Sequence, residues 1–193
     1  RLPRRMFAGS DMRFLAPLRA AVPALRTSEV SAVDLRRGKS GELVFVKVKS
    51  EVVQRDTLCI EEEQTIVYRD AGAPVPAVVP LPERAAAAPG DWLPTSVELF
   101  RYSAVSFNTH RIHYDLPYVT TVEGYPGLVV QGPLIATRLA ALAAKTAGAL
   151  LSFRFRAEAP LFVGQPVRLT ATIEGRDCRV TAQRCDGVTA MTA

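Results

Sequence analysis

Both histidines of the chain, His110 and His113, lie in Ser106-Phe107-Asn108-Thr109-His110-Arg111-Ile112-His113-Tyr114-Asp115. This segment is too polar for a core strand and directly follows an apolar stretch, the usual position of a functional loop on a rigid scaffold. No neighbouring side chain is an equally good base near neutral pH, so proton transfer is the first chemistry to consider. A metal site is the second. His110, His113 and Asp115 have suitable ligand types, but three residues so close in one loop, with no thiolate nearby, fit zinc poorly. The third reading is a solvated surface loop. A second notable segment is Tyr125-Pro126-Gly127-Leu128-Val129-Val130-Gln131-Gly132-Pro133-Leu134, in which a tight Pro-Gly turn leads through apolar residues into a helix start. Free amides at a helix start, aided by the helix dipole, can polarise a carbonyl oxygen.

These segments must be carried by regular elements. From Gly132 or Pro133 to about Thr146 the sequence predicts a helix. Proline suits its first turn, Gly148 suits its end, and Leu134, Ile135, Leu139, Leu142 and Ala143 give it a broad apolar face for burial in the core. Val167, Leu169, Ala171 and Ile173 alternate with polar residues, which predicts a half-buried strand, and 178–184 and 188–192 are expected to pair with it. Residues 97–106 are also expected to form a strand, followed by a polar loop over 107–126. In the first half, 26–35, 43–49 and 61–68 are expected strands, with a turn at Gly38-Lys39-Ser40-Gly41 and with Phe45 and Tyr68 in the core. Between the halves, 71–96 carries prolines at 74, 76, 80, 82, 89 and 94 and reads as an extended crossover. The expected organisation is an N-terminal half over 1–70, a linker over 71–96 and a C-terminal half over 97–193. The order strand, buried helix, strand meander is that of an α+β fold in which an antiparallel sheet wraps around a central helix. The first half lacks a comparable helix, and the sequence does not begin with Met. The expectation is that residues precede Arg1 and hold that helix.

Composition narrows the function classes. An apolar content of 48% with 22% charged residues is that of an ordinary globular protein. No apolar run approaches the about 20 residues that cross a bilayer, and basic Arg1-Leu2-Pro3-Arg4-Arg5 is followed by no signal-peptide core. The net charge of +5 is scattered rather than gathered into a stripe, and the aromatics form no stacking platform, which argues against a nucleic-acid partner. Cys59, Cys178 and Cys185 are odd in number and lack a Cys-x-x-Cys pair. They read as small buried hydrophobes and free thiols of a reducing cytoplasm.

The block Phe-Arg-Tyr-Ser-Ala-Val-Ser-Phe-Asn-Thr-His-Arg-Ile-His-Tyr-Asp at 100–115 resembles the hydratase motif of the MaoC-like acyl-thioester hydratases and dehydratases. The closer likeness is to their mitochondrial-type 3-hydroxyacyl-thioester dehydratase and mesaconyl-CoA hydratase branch. Tyr125–Leu134 and Leu2–Gly9 resemble that branch too, so the likeness covers most of the chain. The resemblance implies an α+β double hot-dog fold. It also implies addition or removal of water across the Cα–Cβ bond of an acyl thioester on coenzyme A or acyl carrier protein, with no metal or redox cofactor. It assigns His113 as the acid/base and Gly132 as the amide facing the thioester oxygen. Asn108 stands where the wider family has a catalytic aspartate; it can hold water but cannot transfer a proton near pH 7. Asp115 is a candidate partner of the site, Arg111 a candidate for a coenzyme A phosphate, and His110 a structural residue. Gln131 departs from the histidine usual before that glycine and bears on substrate orientation. The implied substrate is a (3R)-hydroxyacyl or branched C4–C5 dicarboxylyl thioester, and the implied assembly a homodimer or higher homo-oligomer without membrane contact. The alternatives are a non-catalytic acyl-binding subunit of a heteromeric hydratase, favoured by Asn108 and Gln131, and a hot-dog thioesterase, for which no extra carboxylate base stands out.

Overall fold

The structure is a computed structural model and describes residues 2, 4–38, 41–69 and 87–193. The chain divides into two compact units, one of residues 1–74 with 149–156 and the other of 75–148 with 157–193.

The first unit is built on long antiparallel strands, β1 (Arg4–Phe14), β2 (Leu25–Gly38), β3 (Gly41–Gln54), β4 (Thr57–Arg69) and β5 (Ser152–Ala157), the last residue of which belongs to the second unit. They lie in the order β2-β3-β4-β1-β5. The three strands expected over 26–35, 43–49 and 61–68 are β2, β3 and β4, each longer at both ends than the β-formers alone suggested. Gly38 pairs with Gly41 across the expected turn, whose Lys39 and Ser40 lie outside the described residues. Alternation sorts the side chains. Val44, Val46, Val48, Ile66, Phe7, Phe153 and Phe155 share one face by register, while Lys47–Glu63, Lys49–Glu51, Arg13–Glu61 and Arg154–Asp11 form ion pairs on the other. Phe45 and Tyr68 are half-buried rather than core: they lie towards the strand ends, and the Arg36 guanidinium covers the Phe45 ring at 4.7 Å.

The second unit holds α1 (Ser96–Ser106), α2 (Leu116–Thr121), α3 (Gly132–Ala147) and the meander β6 (Val167–Glu174), β7 (Asp177–Arg184), β8 (Thr189–Thr192), ordered β8-β7-β6. Helix α3 runs as expected and ends at Gly148 with φ 90°. It packs on β7 and β6 through a buried stripe of Leu134, Ile135, Ala136, Leu139 and Ala143. Its other side, Thr137, Arg138, Ala141, Ala144 and Lys145, is exposed, so the helix is buried along one face only. On β6 the expected alternation holds its face, but burial fades from Val167 at 0% exposure to Ile173 at 53%.

Two expectations are overturned here. Residues 97–106 form helix α1, not a strand. Thr95 Oγ1 accepts from the Glu98 amide as an N-cap, and Leu99 and Ser103, one turn apart, are the buried residues. The Thr-x-x-Glu spacing at 95–98 is a helix-start signal that outweighs the β-formers Val97, Phe100, Tyr102 and Val105. The stretch 107–126 is also not all loop. It contains a 3-10 turn at 111–113 and α2, which Asp115 caps by accepting from the Tyr118 amide at 3.0 Å. Of the expected crossover, 71–86 lies outside the described residues. Its described end includes Trp92, bridged to Val167 by backbone hydrogen bonds of 2.8 Å in both directions.

Cys59 is buried, but Cys178 and Cys185 are only half-buried because they sit at the two ends of the outer β7 hairpins; all three are free. No helix among the described residues is long and apolar enough to cross a membrane.

Gly9 sits in β1 between β4 and β5, just past a bulge, where a Cβ would overlap the Phe155 carbonyl oxygen. Gly9→Ala should therefore destabilise the protein by about 1–3 kcal/mol, the range for forced overpacking. Urea denaturation measures this, and a wild-type midpoint would mean that β5 yields without cost.

Candidate active site

Helix α1 ends at Phe107, whose backbone is left-handed at φ 52°, and the Asn108 amide then donates back to the Ser103 carbonyl at 2.9 Å. This closure turns the chain into the histidine loop. Asn108 Oδ1 accepts from the His110 amide at 3.1 Å, a local turn that leaves the Nδ2 end of the side chain as its donor. Tyr114 Oη donates to the Thr109 carbonyl at 2.8 Å. Arg111 donates to Asp115 at 2.6 and 2.9 Å and stacks over the Tyr118 ring at 4.0 Å. Asp115 therefore supports the loop as cap and counter-ion, and its carboxyl is held below the usual range first by the Tyr118 amide and then by Arg111. His110 is exposed, and its ring meets the His113 ring edge to face at 5.6 Å.

His113 is buried, and its Nδ1 lies 2.7 Å from the Val129 carbonyl oxygen. A carbonyl can only accept, so Nδ1 carries the proton and Nε2 keeps a lone pair. Burial drives the His113 pKa down from 6.5 to about 4, opposed by the Val129 bond and assisted by His110. At neutral pH the imidazole is thus an uncharged base in a fixed tautomer.

Val129 is itself clamped. Its amide donates to Ile112 at 3.0 Å, and its neighbours bond to the segment 161–163 through Val130 N to Leu161 O at 2.8 Å and Val163 N to Leu128 O at 3.0 Å. Two residues on, α3 begins. In its first turn Pro133 has no N–H, and Leu134 and Ile135 both donate to Gln131 O, while the Gly132 amide has no carbonyl on its own helix to receive it. The site thus brings a neutral base and a helix-start amide onto one short span, 129–132.

Gln131 is fully buried. Its Nε2 donates to the Leu99 carbonyl and to Ser103 Oγ, both at 2.9 Å, tying α1 to the start of α3, and its Oε1 is buried without a partner among the described residues. An unpaired buried acceptor costs about 1–3 kcal/mol. An outer tie runs in parallel: Trp92 Nε1 donates to Glu98 at 3.0 Å, Arg138 pairs with the same carboxylate, and the Arg138 guanidinium lies 5.3 Å from the Trp92 ring centre.

Of the residues singled out in the sequence, His113, Asn108, His110, Arg111 and Asp115 share this loop, with Gln131 and Gly132 at the helix start. Sequence reasoning missed Ser103, Leu99 and the Val129 carbonyl. The i, i+4 spacing of Leu99 and Ser103 on a recognised helix would have found the first two. A backbone carbonyl leaves no signal in residue type. Among the described residues no cluster of three His, Cys, Asp or Glu side chains is placed to hold a metal ion. His110, His113 and Asp115 differ in role, with Asp115 bonded to the Arg111 guanidinium and the Tyr118 amide.

Comparison with known proteins shows the family. A profile of the hydroxyacyl-thioester dehydratase type 2 family matches residues 1–163. The chain is 49% identical over 194 residues to mesaconyl-C(4)-CoA hydratase of Chloroflexus aurantiacus, covering 99% of this chain and 69% of that one. It is 35% identical over 125 residues to the mitochondrial hydroxyacyl-thioester dehydratase type 2 of Schizosaccharomyces pombe, covering 61% of this chain and 41% of the relative. Among solved structures, HtdX of Mycobacterium tuberculosis superposes with a TM-score of 0.73 at 18% identity, over 97% of this chain and 72% of its own. Rv0216 of the same organism, described as a double hot dog, superposes with a TM-score of 0.66 at 14% identity, over 97% of this chain and 73% of its own. The chain has the double hot-dog fold and belongs to the hydroxyacyl-thioester dehydratase type 2 family, hydro-lyases of acyl thioesters.

Proposed function

We propose that this chain hydrates the Cα–Cβ double bond of an enoyl thioester, with a mesaconyl-type branched dicarboxylyl group on coenzyme A as the leading substrate and 3-hydroxyacyl dehydration as the reverse. The substrate class follows the 49% identical relative. The observation that carries the chemistry is the buried His113 imidazole, with Nδ1 bound to the Val129 carbonyl and Nε2 left as the base. In this reading His113 Nε2 removes a proton from water as its oxygen bonds to Cβ. Charge moves onto the thioester oxygen, where the Gly132 amide and the α3 dipole stabilise it. The imidazolium then returns a proton to Cα, so that H and OH end on the two carbons and His113 is neutral again. Its lowered pKa makes the imidazolium a ready donor in that second step. Asn108 contributes an Nδ2 hydrogen bond to the water. This is acid–base chemistry throughout, and the reading includes no metal or redox cofactor.

Binding is assigned in the same proposal to Arg111, Asp115 and Gln131. Arg111 faces solvent with its guanidinium oriented by Asp115, an arrangement suited to a coenzyme A phosphate or to the phosphopantetheine of a carrier protein. Gln131 bears on the orientation of the reacting groups rather than on affinity, since its Nε2 is committed to α1 and only Oε1 remains. The three free thiols support a reducing cytoplasmic setting within fatty-acyl metabolism. A homodimer or higher homo-oligomer is supported by β2, a 14-residue strand at the edge of its unit's sheet with Leu25, Val30, Val33 and Leu35 more than half exposed.

Hydration assays across a panel of enoyl-CoA esters test the function. His113→Ala should lower kcat at least about 100-fold with a smaller change in KM, as for loss of a general acid/base. Asn108→Ala should cost less. A His113→Ala variant that keeps most of the wild-type rate removes His113 from the mechanism. Turnover that appears only when a second chain is added identifies a binding subunit instead.

The pH behaviour is a separate expectation. The acid limb of kcat/KM should fall near pH 4 rather than near 6.5, because His113 stays neutral down to about 4. The folded pKa lies below the unfolded one, so this group's contribution to stability is complete above pH 6.5 and is lost as pH falls towards 4. Thermal melts of wild type and His113→Gln over pH 4–7 should therefore converge on acidification. Parallel curves would contradict the assignment.

A further inference from the structure

We propose that Gln131 Oε1 accepts a hydrogen bond from the water added to Cβ, and that Ser103 is a positioning residue keeping that oxygen turned away from α1. The inference rests on the hydro-lyase reading and adds a second holder for the reacting water. The orientation of the amide is forced. The Leu99 carbonyl has no proton to offer, so only the Nε2 end of Gln131 can face it, and a flipped amide would set two oxygens 2.9 Å apart. Ser103 Oγ accepts from the same nitrogen and reinforces that choice. Oε1 is consequently fixed on the opposite side, fully buried and without a donor among the described residues.

Its place in the chain identifies the donor. Gln131 caps α3, one residue before the Gly132 amide and two after the carbonyl that holds His113. Around the reacting carbons an enoyl thioester carries neither O–H nor N–H, so the donor available to a buried acceptor there is water. In the dehydration direction the same oxygen belongs to the 3-hydroxyl. Water has two protons; one passes to His113 Nε2, and an acceptor for the other fixes the orientation of the oxygen lone pair towards Cβ. Gln131 Oε1 supplies the acceptor, and Asn108 Nδ2 the complementary donor.

Gln131→Met keeps the length of the side chain and removes its polar atoms. Its kcat should fall about 10- to 100-fold, the scale on which mispositioning a reactant acts. KM should stay within about threefold, because water does not enter it. Ser103→Ala should lower kcat in the same way but less. Gln131→His can donate to Leu99 from one ring nitrogen and accept at the other, and should lose less kcat than Gln131→Met. An unchanged kcat with a lower Tm in Gln131→Met would make the tie purely structural, and a raised KM at unchanged kcat would mean that Oε1 meets the acyl group; either overturns the proposal. A crystal structure of the wild-type protein decides the matter independently of turnover. An ordered water within hydrogen-bond reach of both Oε1 and the His113 ring supports it, and a dry Oε1 or a water out of reach of that ring overturns it. If the wild type hydrates no ester, the hydro-lyase reading fails on its own evidence while this crystallographic outcome still stands.

Discussion

The hydrogen bond between His113 Nδ1 and the Val129 carbonyl is short, buried and one-directional, and it fixes the tautomer on which the proposed chemistry depends. Burial alone would make the imidazole neutral without choosing which nitrogen keeps the lone pair. A hydroxyl or an amide group in place of the carbonyl could act as donor or acceptor and leave the tautomer open. A backbone carbonyl leaves no choice, and Val129 is immobilised by Ile112 on one side and by 161–163 on the other. The orientation of the base is thereby referred to the backbone of the second unit rather than to a mobile side chain.

Helices α1 and α3 extend the same principle. The loop that carries His113 leaves the end of α1, and the amide assigned to the thioester oxygen stands at the start of α3, so the separation of these helices governs the geometry of the proposed reaction. Two ties hold it. The Trp92–Glu98–Arg138 group lies towards solvent, where an ion pair contributes little stability by itself but does define a direction. The Gln131–Leu99–Ser103 tie lies in the interior, where an unsatisfied oxygen is costly and water is scarce. Replacing that glutamine by an aliphatic residue would suit core packing alone, so a glutamine held there against a desolvation penalty points to a role in the site rather than in stability.

Elsewhere the chain is conventional in its physics. Many cations counted in the net charge of +5 are engaged in ion pairs spread over both units, among them Arg13, Lys47, Arg138, Arg154 and Arg179. Such a distribution does not resemble the single stripe that tracks a phosphate backbone. In the first unit one sheet face is rich in valine and phenylalanine, and the ion pairs lie on the opposite face.

The elements whose stabilisation is local were legible in the residues. Period-2 alternation announces β6, β-branched and aromatic runs mark β3 and β4, and Pro133 with Gly148 brackets α3, because these patterns reflect interactions within a few residues. The motif around His113 was legible as well, since the order of its residue types is itself the signal. Helix α1 was misread because β-branched and aromatic residues favour strands only weakly, while its cap at Thr95 and its Leu99–Ser103 stripe decide in favour of helix. What only the tertiary structure decided is the partner of each polar group: the Val129 carbonyl for His113, Arg111 for Asp115, and α1 for the Gln131 nitrogen. These contacts join residues up to 32 positions apart, and those to Val129 and Leu99 end on backbone atoms that every residue possesses. Residue types determined which groups could transfer a proton; long-range packing determined which nitrogen of His113 and which end of the Gln131 amide are engaged.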